Sequence, residues 1–192
     1  LSKILKNTYR HSLLRKRKAL TSDEVDRLSS RIILNFLKSN KSKNIKILGA
    51  YKAIHNEPKL DQLFVDAKSK NQIVTFPVTR TMNEIDLVEP NKNNEFTKNK
   101  YGICEPLNGK IIGILEHDAI IAPAIGVDSN GYRLGFGGGY YDRLFAHALK
   151  REDRPKIYGL ISDFQIFNGE INEKHDIKFD SVFTEDNVIN FY

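Results

Sequence analysis

Leu5, Tyr9 and Leu13 recur at four-residue intervals, which predicts a helix from about Ser2 to Ala19 with Lys6 and Arg10 on a neighbouring face. "TSDE" at Thr21 to Glu24 has capping-box spacing, so a second helix begins there, with Val25, Leu28, Ile32 and Phe36 as its apolar stripe. "IKILGAY" (Ile45 to Tyr51) reads as a strand and "LDQLFVDAKSK" as a short helix. "QIVTFPV" and "EIDLVEP" are the next two strands. The stretch from Asn91 to Lys110, punctuated by Gly102, Pro106 and Gly109, reads as loop. "DAIIAPAIGVD" (Asp118 to Asp128) is a nearly continuous apolar run, the mark of a central strand buried on both faces. A glycine loop follows, then a helix from about Tyr140 to Lys150 and two late strands, "KIYGLIS" and "DSVFT".

Strands alternating with helices argue an α/β fold with a mostly parallel central sheet in three layers. No repeat and no linker interrupts the pattern, so residues 1–192 are expected to form a single domain.

Composition fits a soluble globular protein, 40% hydrophobic and 28% charged, with no apolar run near the roughly 18 residues of a membrane span. No signal-peptide pattern stands near Leu1. The single cysteine, Cys104, excludes an internal disulfide and fits a cytoplasmic protein. A net charge of +6 suits nucleic acid or a polyanionic small substrate. The basic residues are spread along the chain, and no aromatic nucleic-acid motif accompanies them, which favours the small substrate.

"GYRLGFGGGYYDRLFA", Gly131 to Ala146, holds five of the twelve glycines directly ahead of a helix. Glycines let backbone N–H groups approach an anion at a helix start, so the loop is either a phosphate cradle or a structural turn. It is not a Walker loop, because Tyr140 and Tyr141 stand where Lys and Ser/Thr are needed. Nor is it a dinucleotide fingerprint starting at Gly135, which would need glycine at position 140.

The string "NGYRLGFGGGYYDRL" resembles the signature of the 5-formyltetrahydrofolate cyclo-ligase (5,10-methenyltetrahydrofolate synthetase) family. "RKALTSDE", "NEPKL", "YGICEP", "APAIGVD" and "HDIKFDSV" fall in that family's order, so the resemblance covers essentially the whole chain. It implies a fold similar to the ribose-phosphate isomerase and CoA-transferase group. It also implies a reaction that uses ATP and Mg²⁺ to close 5-formyltetrahydrofolate, with or without a polyglutamate tail, into 5,10-methenyltetrahydrofolate. The expected protein is a cytoplasmic monomer with no nucleic-acid partner and no membrane contact.

By the same resemblance Lys6 and Arg10 contact ATP phosphates; read alone, they are an ordinary basic face. Arg133, Leu134, Gly135, Phe136, Gly137, Gly138, Gly139, Tyr140 and Tyr141 correspond to the nucleotide loop, with Arg133 and Tyr140 catalytic. Phe136 to Tyr140 also line the folate, together with Lys52 and Glu57, and Tyr101 flanks it. Asp142 and Asp176 match the Mg²⁺-associated aspartates; alone, the first is a helix first-turn residue and the second a loop charge. Two departures stand out: many members carry Lys where Gly138 stands, and Leu where Tyr9 stands. His11, His55, His117, His147 and His175 show no metal pattern and read as surface or turn residues. The rivals are a sugar-phosphate isomerase or acyl-CoA transferase on the same fold, a nucleic-acid-binding domain, and a family member that binds folate without turnover.

Overall fold

The computed structural model describes residues 2–93, 95–171, 173 and 176–191. Helices α1 (Ser2–Lys18) and α2 (Ser22–Lys38) open the chain. Thr21 caps α2 as its spacing predicts: its hydroxyl accepts from the Glu24 N–H, and the Glu24 carboxylate accepts from the Thr21 N–H. Such a cap contributes about 1 kcal/mol. Strand β1 (Ile47–Gly49), helix α3 (Asp61–Ser69), and strands β2 (Ile73–Thr79) and β3 (Ile85–Pro90) follow where the pattern put them.

The segment read as loop between Asn91 and Lys110 instead carries β4 (Phe96–Lys98), β5 (Cys104–Pro106) and β6 (Gly109–Ile111). Each is three residues long, too short to display alternation; β4 and β5 pair with each other as a hairpin, and β6 pairs with β3. The apolar run at 118–128 is likewise two strands, β7 (Ala119–Ile121) and β8 (Gly126–Asp128), which lie in different sheets. Pro123, which has no N–H to give a ladder, stands where the chain leaves the first sheet for the second. Strand β9 (Arg133–Leu134) precedes α4 (Tyr140–Phe145), which stops short of the predicted Lys150; a 3₁₀ turn at Ala148–Lys150 replaces its end. Strands β10 (Lys156–Leu160), β11 (Ile166–Phe167), β12 (Ser181–Phe183) and β13 (Val188–Asn190) complete the chain.

The main sheet runs β13-β12-β10-β7-β1-β2-β3-β6, parallel from β12 to β2 and antiparallel at both margins. Alternation divides its side chains between two cores. Leu48, Ile121, Leu160 and Phe183 pack under α2 and α3 against Ile32, Phe36 and Leu63. Ile120, Ile157 and Val182 face the opposite way, against Tyr141, Phe145 and Phe179. Helices therefore cover both faces, as a buried parallel sheet requires. Among the described residues no helix is long and apolar enough to cross a membrane.

Helix α1 lies on the small sheet β11-β8-β9, where Leu13 meets Ile125, Leu134 and Phe167. Tyr9 stacks on Phe167 at 4.1 Å between centroids and donates to the Asn168 carbonyl at 2.8 Å, so this departure anchors the helix. The predicted apolar stripe is corrected in one respect: Leu5 is exposed, while Lys6 and Arg17 are buried with Leu13. The histidine reading is corrected in another. His117 is buried, with Nε2 2.8 Å from the Thr75 hydroxyl and Nδ1 2.9 Å from the Gly113 carbonyl. His175 lies outside the described residues.

Candidate active site

A cavity of about 1180 Å³ opens beside the carboxyl ends of β1 and β2, bounded by α1, the glycine loop and the start of α4. Ligand pockets commonly hold about 300–1,000 Å³, so this one has room for two ligands side by side. Lys6, Arg10, Lys52, Glu57, Arg133 to Asp142 and Asp176, all singled out by the sequence, line it.

Local geometry explains the convergence. Arg133 receives its register from Ile177, whose carbonyl accepts the Arg133 N–H at 2.8 Å, and this pairing carries Asp176 to the glycine loop. Lys6 Nζ donates to Asp176 Oδ2 at 2.7 Å and stands 3.5 Å from Glu173. Arg10 Nε donates to the Gly135 carbonyl at 2.7 Å, tying α1 to the loop. Gly137 and Gly139 have φ of +97° and +69°, which a side chain would strain, and Gly139 is the residue from which α4 starts. Arg143 reaches back from α4 to the Gly138 carbonyl.

Arg133 is nearly sequestered. Its Nε donates to the Pro123 carbonyl at 2.7 Å, its guanidinium lies 5.0 Å over the Tyr141 ring, and Nη1 is 3.9 Å from Asp142. Burial lowers its pKa, with Asp142 the foremost opposing influence, yet a guanidinium keeps its charge. Burial lowers Arg10 as well, opposed by Asp176, Asp142 and Glu173. Cations and carboxylates are thus interleaved at this end of the cavity. Tyr141 and Leu134 turn into the core as its floor, whereas Phe136 is exposed at its rim. Tyr140 meets Tyr101 across the opening, hydroxyl to hydroxyl at 3.1 Å.

Glu57 lines the same cavity. It closes a turn in which His55 and Asn56 both have positive φ and the Glu57 N–H donates to the Ile54 carbonyl. Its Oε2 accepts from the Ile54 N–H at 3.1 Å. Burial pushes the Glu57 pKa up to about 7, against the Arg17 charge, the Ile54 N–H and Arg133. Lys52, also in the lining, has Nζ 4.5, 5.0 and 5.1 Å from the centroids of Phe64, Phe96 and Phe76. Lys52 also borders a second hollow of about 450 Å³.

Two groups escaped the sequence reading. Glu105 is buried and accepts from the Thr79 N–H and hydroxyl and from Asn99, which braces the Tyr101 loop. Arg17 lies eleven residues beyond Lys6, three helical turns on, so extending the Lys6–Arg10 line along α1 reaches it. Among the described residues no three His, Cys, Asp or Glu gather as a metal site. Asp142 and Asp176 nevertheless share one cavity, and Mg²⁺ needs only one or two carboxylates when phosphate and water complete its shell.

A sequence model of the 5-formyltetrahydrofolate cyclo-ligase family matches residues 2–185. The chain is 30% identical to a Mycoplasma pneumoniae 5-formyltetrahydrofolate cyclo-ligase over 164 residues, 83% of this chain and 87% of that one. It is 25% identical to the Mus musculus enzyme of the same name over 190 residues, 94% of each. Among solved structures, Aquifex aeolicus 5,10-methenyltetrahydrofolate synthetase superposes with a TM-score of 0.82 at 34% identity, covering 97% of this chain and 92% of that one. The cavity, the glycine loop that borders it and these matches lead to one conclusion: the chain belongs to the 5-formyltetrahydrofolate cyclo-ligase family.

Proposed function

We propose that this chain, acting as one domain and a cytoplasmic monomer, closes 5-formyltetrahydrofolate into 5,10-methenyltetrahydrofolate with Mg-ATP, releasing ADP and phosphate. The observation that carries the reading is a single cavity large enough for both substrates, lined by the nucleotide-loop residues and by Glu57.

Ring closure must expel the formyl oxygen, and oxide is a very poor leaving group. Transfer of the γ-phosphoryl group to that oxygen, with ADP leaving, converts it into a phosphate ester. N10 then attacks the activated carbon, the C–O bond breaks to release phosphate, and N10 loses its proton. Such chemistry depends on positioning and charge neutralisation more than on a protein nucleophile. Lys6, Arg10 and Arg133 are the cations for the polyphosphate, and the loop from Gly135 to Gly139 brings bare backbone to it. Arg133 and Tyr140 flank the reacting groups, and Phe136 and Tyr140 separate nucleotide from pterin. Asp142 and Asp176 would hold Mg²⁺, which when bound neutralises phosphate charge. Glu57 accepts hydrogen bonds from the pterin's neighbouring N–H donors, and Lys52 lies along the folate.

Purified protein with Mg-ATP and 5-formyltetrahydrofolate is expected to build up the conjugated methenyl chromophore. Folded protein that forms none would overturn the proposal, as would an equal rate without ATP.

A further inference from the structure

Arg17 is 1% exposed, among the largest fully buried side chains, and the chemistry above does not use it. Its Nη1 donates to the Ala124 carbonyl at 3.2 Å, Phe136 lies 5.6 Å from its guanidinium carbon, and Nη2 stands 3.8 Å from Glu57 Oε1. Neither Nε nor Nη2 has a hydrogen-bond partner among the described residues. Buried donors left unpaired are costly, and an apolar side chain of similar volume would avoid that cost. Docking does not account for the charge either. The turn that bears Glu57 is fastened to α1 by Asn56, which donates to the main-chain carbonyls of Arg17 and Leu20, available whatever side chain stands at position 17.

The charge is useful to Glu57. Facing that carboxylate are Arg17 from α1, Arg133 from β9, Tyr51 beyond β1 and Tyr141 from α4. Arg17 is the foremost influence holding the carboxyl down against burial. At 3.8 Å it acts through charge without occupying Oε1, which accepts no hydrogen bond among the described residues, while Oε2 is taken by Ile54.

We infer that Arg17 is a positioning residue that holds its positive charge against Glu57 and leaves Oε1 free for the N–H donors of the pterin, so that Arg17 governs folate affinity and its pH dependence without touching folate. The inference rests on the assignment of Glu57 to the folate. An opposite charge this close shifts a carboxyl by about 1–3 units. A rise of about two units would cut the ionised fraction near pH 7 from about a half to about one-hundredth, roughly fifty-fold.

The test measures equilibrium binding of 5-formyltetrahydrofolate from about pH 6 to about pH 9, without ATP, for the wild type, Arg17→Met, Arg17→Gln, Arg17→Lys and Glu57→Gln. Arg17→Gln keeps a donor for the Ala124 carbonyl and stands in should Arg17→Met fold poorly. Wild-type affinity should rise through about pH 7. The two neutral variants should bind roughly fifty-fold more weakly at that pH and recover as pH rises, with Arg17→Lys restoring most of the affinity, while the ATP KM, read separately from the rate of methenyl absorbance, changes little. A flat wild-type profile, or wild-type affinity in the neutral variants, overturns the inference. So does a pH-independent loss of folate and ATP affinity together that Lys does not rescue. Wild-type binding by Glu57→Gln would instead remove the Glu57 assignment itself, whereas failure of the Arg17 inference alone leaves Glu57→Gln defective.

Discussion

Gly135→Ala would place a methyl group 2.8 Å from both Nη atoms of Arg133 and 3.0 Å from its Cζ. The backbone there is not left-handed, so the change acts by displacing the guanidinium and not by straining the chain. Arg133 has little freedom to yield, because its side chain is 8% exposed and Nε is fixed to the Pro123 carbonyl at 2.7 Å. Losing that charge-assisted bond or its equivalent in the transition state costs about 1.5–3 kcal/mol. That corresponds to a fall of roughly 10- to 150-fold in kcat/KM, read as the rate of methenyl absorbance. Gly137→Ala is the contrast. Its methyl would meet nothing nearer than Arg10 Cζ at 3.7 Å, but φ of +97° imposes backbone strain of about 1–2 kcal/mol, visible as a lower Tm. Wild-type kcat and KM in Gly135→Ala would refute the role given to Arg133.

Arg10→Ala should raise the ATP KM by roughly 10- to 150-fold and leave folate binding largely intact; equal loss of both would indicate a collapsed site. Asp142→Asn and Asp176→Asn should each raise the Mg²⁺ concentration for half-maximal rate by roughly tenfold. Asp176→Asn should also weaken ATP binding, since it releases Lys6 from its 2.7 Å bond, and an unchanged Mg²⁺ titration in both variants would contradict the metal assignment. Asp180 is a test of stability. Burial would raise its pKa, but hydrogen bonds from Arg154 at 2.8 and 3.1 Å and from the Ile157 N–H outweigh burial and hold it below the ordinary 3.8. A lowered carboxyl stabilises the fold above its unfolded pKa and loses that contribution as pH falls through the folded value. Asp180→Asn should therefore cost about 1–3 kcal/mol at neutral pH in denaturant titrations, with the gap closing below about pH 4.

Much of this was legible in the sequence because local rules and tertiary demands agree. The capping box at Thr21 specifies a helix start, and the apolar run through Ile120 and Ile121 a strand buried on both faces, without help from distant chain. The strands at Phe96, Cys104 and Gly109 were not legible, since three residues leave no period, whether the partner is the next strand, as for β4 and β5, or β3, as for β6. The break at Pro123 was hidden by apolar residues on both sides, each buried in a different sheet. At the site, the glycine loop announces itself in one string, whereas Asp142 alone reads as a helix first-turn residue and is singled out by the family resemblance. Lys6 and Arg17 do not, because a charged residue at helical spacing reads as solvated until Asp176 and Glu57 arrive from elsewhere in the chain. His117 was misread for the same reason: its partner, Thr75, is 42 residues away.

The path of one oxygen atom tests the central claim most directly. In the proposed reaction ATP acts on the folate itself and no protein nucleophile takes part, so the formyl oxygen departs bound to phosphorus. Substrate carrying heavy oxygen in its formyl group, turned over with unlabelled Mg-ATP, should yield labelled inorganic phosphate analysed by mass spectrometry. Label found in water, with phosphate unlabelled, would contradict the account.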